Sequence, residues 1–336
     1  MGLPAAVAIL ILLLAGPLWV RRIEENLEGY CLLLGILAIA FAGGANWELA
    51  AKALRDPIPI SAAVIIAGIL FRYGRKHFDR VVRWTADRFG RAVLAGATVA
   101  IAALLSSIIT SIVAALMLVE ALRSLGLPRT NLIRITVVGC LAIGLGASLT
   151  PLGEPLSTIA IDALELEFFG LFTVLAPYVL PGIIACAILA AFYARGDGAE
   201  THFSHAGVES FGAIALRGIK VFGFIAGLVL LGEAFAPIAS DYINHLSAPA
   251  LFWANVAGAA LDNATVIAIE IHGMPLPLAR EVILSLLVSG GMLIQGNIPN
   301  IIAAGALGIS AASWARVGIP LGLLLLIAYF LSLRLA

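Results

Sequence analysis

Apolar residues fill this chain in long runs that are separated only by short polar stretches. Six of the runs are uninterrupted and predict helices over residues 3–19, 29–44, 57–71, 168–193, 211–235 and 314–333. No basic residue precedes the first run, so we interpret it as a membrane helix and not as a cleavable signal peptide.

Two further runs are broken by polar residues and prolines. The run 131–165 contains GLGASLTPLGEPLSTIA, with three glycines, two prolines, four hydroxyl side chains and Glu154. The run 276–312 is broken by QGNIPN at 295–300. In lipid, backbone groups freed by proline are tolerated only beside protein or water, so broken helices of this kind are typical of transporter sites. The alternative is a proline kink in which Glu154 caps the second half-helix.

Two more runs, 92–122 and 248–272, carry polar residues at their centres, SSIITS at 106–111 and LDNAT at 261–265. A single crossing by the first run would put the three arginines that follow it outside the cell. If both runs enter and return as re-entrant hairpins, sixteen basic residues lie on the cytoplasmic side and four lie outside. We therefore predict an all-α polytopic membrane protein with two re-entrant hairpins.

The same pattern divides the chain into regions. Residues 1–91 are predicted to hold transmembrane helices and a basic amphipathic interfacial helix at 72–91. The first repeat, 92–193, contains hairpin 92–122, broken helix 131–165 and helix 168–193. A cytoplasmic linker at 194–210 follows. The second repeat, 211–336, contains helix 211–235, hairpin 248–272, broken helix 276–312 and helix 314–333.

The two predicted repeats correspond at their polar positions. Gly153-Glu154-Pro155-Leu156-Ser157 in the first broken helix corresponds to Gly296-Asn297-Ile298-Pro299-Asn300 in the second. Ser107 to Thr110 corresponds to Asp262 to Thr265. One hairpin is predicted to open from the cytoplasm and the other from outside, so the repeats are inverted. Such repeats place a binding site near the middle of the membrane.

Composition supports a membrane protein. The chain of 336 residues is 62% hydrophobic and only 12% charged, and its net charge is zero. The composition predicts contact with membrane lipid, and we expect a multi-pass cell (inner) membrane protein without a nucleic-acid partner. The zero net charge carries no information about nucleic acid, because the distribution of the charges is what matters. Cys31, Cys140 and Cys186 lie in apolar runs, with spacing that suits neither disulfides nor zinc.

The polar interruptions supply oxygen ligands of the kinds that hard cations such as sodium prefer. A carboxylate there would bind either a proton or a cation, which is sufficient for antiport. The alternative role of Asp262 is a structural hydrogen bond to hairpin amides. The candidate cation- and proton-binding residues are Ser107, Thr110, Thr150, Glu154, Ser157, Asp262, Asn263, Thr265, Gln295, Asn297 and Asn300, with Glu154, Asp262 and Asn263 as candidate sodium ligands.

Three other acidic residues are expected to have minor roles. Glu120 and Glu270 are predicted to lie at the hairpin exits, where they face water or cap helices. Glu281 is predicted to pair with its neighbour Arg280 at the membrane interface.

LTPLGEPLSTIA, LDNATVIAIE and GGMLIQGNIPN resemble motifs of the NhaD-type sodium/proton antiporters of the ion transporter superfamily. The resemblance covers residues 92–310 and is specific at the four polar interruptions. The short chain resembles a compact branch of that superfamily, whose members are predicted cation transporters. The resemblance implies inverted repeats, sodium near the hairpin tips, a homodimer and elevator-like alternating access. SSIITS departs from the family pattern, because the antiporters carry an aspartate-asparagine pair at that position.

Three functions are compatible with these features. A sodium/proton antiporter is favoured by Glu154 and Asp262 and by the lack of basic residues in the interruptions. A sodium-coupled importer of a small anion would use the same cation ligands and the N-termini of the half-helices. An uncoupled channel or scaffold is disfavoured by the paired interruptions. The chain shows no nucleotide-binding or nucleophile motif, so we expect no enzymatic activity and no cofactor beyond transported sodium.

Overall fold

The computed structural model describes residues 2–20, 22–23, 26–195, 210–243, 246–258, 263–271 and 273–335. Every element in these ranges is helical, which confirms the all-α prediction. The helices are α1 Leu3–Trp19, α2 Leu27–Ala42, α3 Trp47–Arg55, α4 Pro57–Phe89, α5 Arg91–Ile109, α6 Ser111–Ser124, α7 Arg129–Ala147, α8 Pro155–Ala163, α9 Gly170–Tyr193, α10 Phe211–Ile243, α11 Ala248–Gly258, α12 Asn263–Glu270, α13 Leu276–Met292, α14 Ile298–Leu307 and α15 Ala311–Leu335, with a short 3₁₀ turn at Ile294–Gly296.

Six helical segments among the described residues are long and apolar enough to cross a membrane. They are Trp47–Gly74, Arg91–Ile109, Arg129–Ala147, Gly170–Tyr193, Phe211–Pro237 and Ala311–Leu335. Their number and composition identify a multi-pass membrane protein. The apolar and basic segments that the sequence pattern separated at residue 71 form one continuous helix, α4.

The first group of helices is built around α10, which contacts α2, α3 and α4. Helices α2 and α10 come into backbone contact where each carries a glycine. A Cβ atom on Gly35 would lie 2.6 Å from the Gly227 carbonyl oxygen, and one on Gly227 would lie 2.6 Å from the Cys31 carbonyl carbon. Small residues at such crossings let membrane helices pack closely. We call this group the α10 group.

The second group surrounds two central helices, α7 and α13, which contact each other. Residues Ile135–Ala147 of α7 and Glu281–Met292 of α13 are all buried. Helices α5 and α9 pack on α7, whereas α11 and α15 pack on α13. A helix that is apolar on all sides is stable when protein or lipid surrounds it completely. The two central helices are also the two that end at a polar interruption.

Candidate functional site

The first interruption separates α7 from α8. Helix α7 ends at Ala147, and α8 begins at Pro155, the first helical position, where the missing N–H group of proline costs nothing. The loop between them folds back on α7, and a Cβ atom on Gly153 would overlap the Ala147 carbonyl oxygen. The Ser157 hydroxyl donates a 3.3 Å hydrogen bond to the same oxygen. Only glycine therefore fits at position 153.

The end of α5 and the start of α6 are hydrogen-bonded to this loop. The Thr150 hydroxyl donates to the Ser107 carbonyl oxygen, and the Ser111 N–H donates to the Gly153 carbonyl oxygen at 2.9 Å. Thr110, between the two helices, has a φ of 78° and a ψ of 147°. A positive φ is strained for a β-branched residue and persists only where the surroundings impose it. The loop and the α5–α6 junction thus form one structural unit.

The second interruption separates α13 from α14. The 3₁₀ turn and Asn297 follow α13, and Gln295 in that turn is buried. The Asn300 side-chain amide donates 2.8 Å hydrogen bonds to the carbonyl oxygens of Gly290 and Leu293. The bond to Gly290 satisfies a carbonyl oxygen in the last turn of α13, where the helix itself supplies no donor, whereas the Leu293 oxygen also accepts from the Gly296 N–H at 3.3 Å.

The two interruptions have equivalent geometry. Glu154 precedes α8 with φ and ψ of −157° and 159°, and Asn297 precedes α14 with −156° and 146°. Neither side chain caps its own helix. In each interruption, the side chain three residues after Glu154 or Asn297 donates a hydrogen bond to a backbone carbonyl oxygen. That oxygen belongs to the residue seven positions before Glu154 or Asn297. Both side chains are buried, with 7% and 8% of their surface exposed.

Asn263 lies where the second interruption meets α12. Its side chain is 3% exposed and its amide lies against Gly290, where a Cβ atom would be 2.8 Å from the Asn263 carbonyl oxygen Oδ1. Neither the Asn263 amide nitrogen nor its oxygen hydrogen-bonds to a described residue, and the same holds for the Asn300 Oδ1 oxygen. Buried amide groups of this kind are normally bound by protein, water or an ion. They mark a polar site beside Gly290.

The two halves meet through Asn297. A Cβ atom on Gly144 of α7 would lie 3.1 Å from the Asn297 amide nitrogen, and the Cys140 thiol lies 3.7 Å from the Pro299 carbonyl oxygen. The structure thus brings together Ser107, Thr110, Thr150, Glu154 and Ser157 around the first interruption and Asn263, Asn297 and Asn300 around the second. Asp262 lies outside the described residues, and the side chain of Thr265 is likewise not described.

A cavity of about 540 Å³ lies between this site and the α10 group. Its inner wall includes Pro155, Ala264 and Ile298, which directly follow Glu154, Asn263 and Asn297 in the chain. Three short helices therefore present their N-terminal ends to one cavity. Lys52 and Glu233 also line it, and their half-exposed side chains form a 3.6 Å ion pair.

Glu270 contradicts the prediction of a water-facing position. Its side chain is 5% exposed, and Asn255 of α11 donates a 3.3 Å hydrogen bond to it. The same Asn255 amide donates to the Ser285 hydroxyl of α13 at 2.9 Å. This cluster was missed because its three residues belong to three different helices, which only the folded structure brings together. The polar residues at 255 and 285 in otherwise apolar helices were the available signal.

Glu281 also differs from its prediction. It pairs with Arg334 of α15 at 2.7 Å, whereas the Arg280 guanidinium lies 5.2 Å from the centre of the Tyr178 ring. Adjacent residues on a helix point in different directions, so the predicted pairing of Arg280 with Glu281 was wrong.

The ligands available at the site are those of a hard cation. The site offers buried hydroxyl and amide oxygens and one described carboxylate, Glu154. The hydroxyls of Ser107 and Ser157 donate to backbone oxygens but keep lone pairs that can bind a cation. Within the described ranges, no group of three histidine, cysteine or acidic residues is placed to bind a metal ion.

The fold and the site define a class: a multi-pass, all-helical membrane protein in which two interrupted helices meet at a buried polar site. Residues 3–335 match the family described as "Protein of unknown function (DUF1646)". Because the match covers nearly the whole chain, the protein belongs to that family. No curated protein matches the sequence.

Proposed function

We propose that the protein is a secondary active cation transporter that exchanges sodium for protons by alternating access. The observation that carries this proposal is the meeting of two interrupted helices, one preceded by Glu154 and the other by Asn297, beside the buried amides of Asn263 and Asn300. Interrupted helices that meet in this way are typical of the ion sites of secondary transporters. The proposed ion site lies between the hairpin tips and the helix breaks.

Inverted repeats with re-entrant hairpins are part of the proposal. The equivalent backbone angles and hydrogen bonds of the two interruptions support a repeat. Ion pairs between side chains form where the proposed topology assigns both residues to the same side of the membrane. The pairs are Glu28 with Lys220 at 3.5 Å on the cytoplasmic side, and Lys52 with Glu233 at 3.6 Å and Glu281 with Arg334 at 2.7 Å outside.

The proposed topology is tested by cysteine labelling from each side of the membrane. Single cysteines in 106–111 should react with a reagent added from the cytoplasmic side, and those in 261–265 with one added outside. Labelling of Arg123→Cys from outside would contradict the re-entrant first hairpin, because that residue directly follows it.

The chemistry of exchange rests on competition at a carboxylate. Glu154 binds either a proton or, together with neighbouring oxygens, a sodium ion. Asp262 is the second proposed exchanging group. We further propose that the protein is a relative of the NhaD-type antiporters in the ion transporter superfamily, and that it forms a homodimer in the cell (inner) membrane.

A second function, the sodium-coupled import of a small anion, is favoured by the cavity of about 540 Å³. Pockets of roughly 300–1,000 Å³ hold small organic ligands, and a bare cation needs far less space. The N-terminal ends of α8, α12 and α14 at this cavity would attract an anion.

Purified protein in proteoliposomes distinguishes the two functions. Sodium added outside should drive protons out of the lumen, so an internal pH dye should report alkalinisation that choline does not produce. Protein-free liposomes are the control. Sodium-dependent uptake of a labelled carboxylate or oxyanion without proton counterflow would instead establish the importer. No sodium-dependent flux of either kind would contradict both.

A further inference from the structure

A second cavity, of about 740 Å³, lies between one end of α9 and the first turns of α7 and α15. Its lining shares no residue with the cavity beside the α10 group or with the proposed ion site. Helix α7 contributes Arg134, α9 contributes Tyr193 and α15 contributes Arg316. We call it the α7–α9–α15 groove.

The polar end of the groove is cationic. Both arginines are exposed, and the Arg134 guanidinium lies 5.4 Å from the centre of the Tyr193 ring, which restricts its position. No carboxylate among the described residues lines the groove. Two guanidinium groups without an acidic neighbour are suited to bind a phosphate, because each offers several N–H donors.

The helix ends add to this positive potential. Thr130 lies in the first turn of α7 and Ser313 in the first turn of α15, and both line the groove. These helices have 19 and 25 residues, and the N-terminal end of a helix carries a positive partial charge. Their hydroxyl groups can donate hydrogen bonds to an anion.

The remainder of the groove is apolar and opens to the membrane-facing surface. Leu189, Leu321 and Leu324 line it, and Leu324 is 64% exposed. Ile188, the neighbour of Leu189 on α9, is 65% exposed. A ligand that fits has an anionic head and apolar chains. A free anion would leave this apolar wall uncovered.

The groove also lies at the end of the protein where basic residues collect. Arg129, one residue before Thr130, donates hydrogen bonds of 2.7 and 2.6 Å to the carbonyl oxygens of Leu307 and Gly308 at the end of α14. In the proposed topology this end is cytoplasmic. Basic pockets between transmembrane helices on that side bind the head groups of anionic lipids.

We propose that the α7–α9–α15 groove binds one anionic phospholipid, with its phosphate between Arg134 and Arg316 and its chains against the leucines of α9 and α15. The inference is independent of the transported ion, because none of its residues belongs to the proposed ion site.

The test is lipid retention by the full-length protein. Delipidated protein in detergent is titrated with phosphatidylglycerol or phosphatidylcholine, and bound lipid is counted by native mass spectrometry. We expect one phosphatidylglycerol to bind in preference to phosphatidylcholine. The double variant Arg134→Gln/Arg316→Gln should weaken its binding about 30-fold, since each basic group near an anionic lipid contributes about fivefold. The pair Arg134→Lys/Arg316→Lys should retain most of it.

Arg280→Gln is the matched control, because Arg280 makes the same kind of contact with Tyr178 at 5.2 Å but does not line the groove. It should leave binding unchanged. Three results of the lipid titration would overturn the proposal: equal binding of both lipids, the same weakening by the control, or displacement of phosphatidylglycerol by millimolar inorganic phosphate. A double variant that changes the oligomeric state but not lipid retention would assign the groove to a subunit interface and would also overturn it.

Discussion

The two interrupted helices share a backbone path but differ in the side chains that they present. Glu154 and Asn297 have nearly the same φ and ψ, are equally buried and precede helices of 9 and 10 residues. One is a carboxylic acid and the other an amide. Three residues further on, Ser157 makes one hydrogen bond to α7 and Asn300 makes two to the end of α13.

This difference separates architecture from chemistry. Because a neutral amide occupies the equivalent position in the second half, the geometry of the break does not require a charge. A carboxylate buried in a membrane protein is costly, and its presence at this position in only one of the two interruptions therefore supports the proposed role of Glu154. The second half is rich in amides, and these supply ligands or hydrogen bonds without charge.

The largest predicted effect concerns the close contacts. Gly153→Ala places a Cβ atom on the Ala147 backbone, so we expect a loss of about 3 kcal/mol or more in the free energy of unfolding. Gly290→Ala should cost less, because it meets the side chain of Asn263, which can move. The measurement is thermal unfolding in detergent. Gly305→Ala, in open space on α14, is the control and should be neutral or slightly stabilising. A wild-type melting temperature for Gly153→Ala would contradict the folded-back loop.

The next effect concerns the second half. Asp262→Asn should abolish coupled transport while the protein still folds and inserts. Asp262 directly precedes Asn263, an uncharged residue of the buried polar site, so the substitution removes the carboxylate next to that residue in the chain. Sodium and proton fluxes in proteoliposomes, with size-exclusion chromatography to monitor folding, provide the measurement. Wild-type flux with an unchanged pH dependence would show that Asp262 has no part in coupling.

The smallest effect compares the hydrogen bonds of the two interruptions. Asn300→Ala removes two bonds to buried carbonyl oxygens and should cost about 2 kcal/mol, whereas Ser157→Ala removes one and should cost about 1 kcal/mol. Thermal unfolding of the two variants in the same detergent gives the comparison. An equal loss of stability in the two variants, or a larger loss for Ser157→Ala, would contradict stronger hydrogen bonding in the second interruption.

The interruptions could be located from sequence because proline and glycine leave a clear mark in an apolar run. The loop before Pro155 and the turn before Ile298 lie within the segments that the pattern marked as broken. The pattern of proline and glycine did not show that the side chains of Asn263 and Asn300 are buried. Periodicity shows which residues interrupt a helix but not which distant helix covers them.

Contacts between elements far apart in the chain account for the errors. The burial of Glu270 depends on Asn255 and Ser285, which belong to two other helices. Sequence proximity favoured Arg280 as the partner of Glu281, but Arg334 is reached instead through the packing of α13 on α15. The positive φ of Thr110 has no sequence signal, since threonine is a poor residue for that conformation.

The central claim, that sodium and protons compete at Glu154, is tested most directly by the pH dependence of exchange in proteoliposomes at several sodium concentrations. Raising sodium should shift the pH optimum of the wild type downward, because more protons are then needed to compete with the cation. Glu154→Gln should remove that shift even if some sodium flux survives. Asp162→Asn, which alters an exposed carboxylate on α8, the helix that follows Glu154, should retain it. A Glu154→Gln protein with the wild-type shift would contradict the claim.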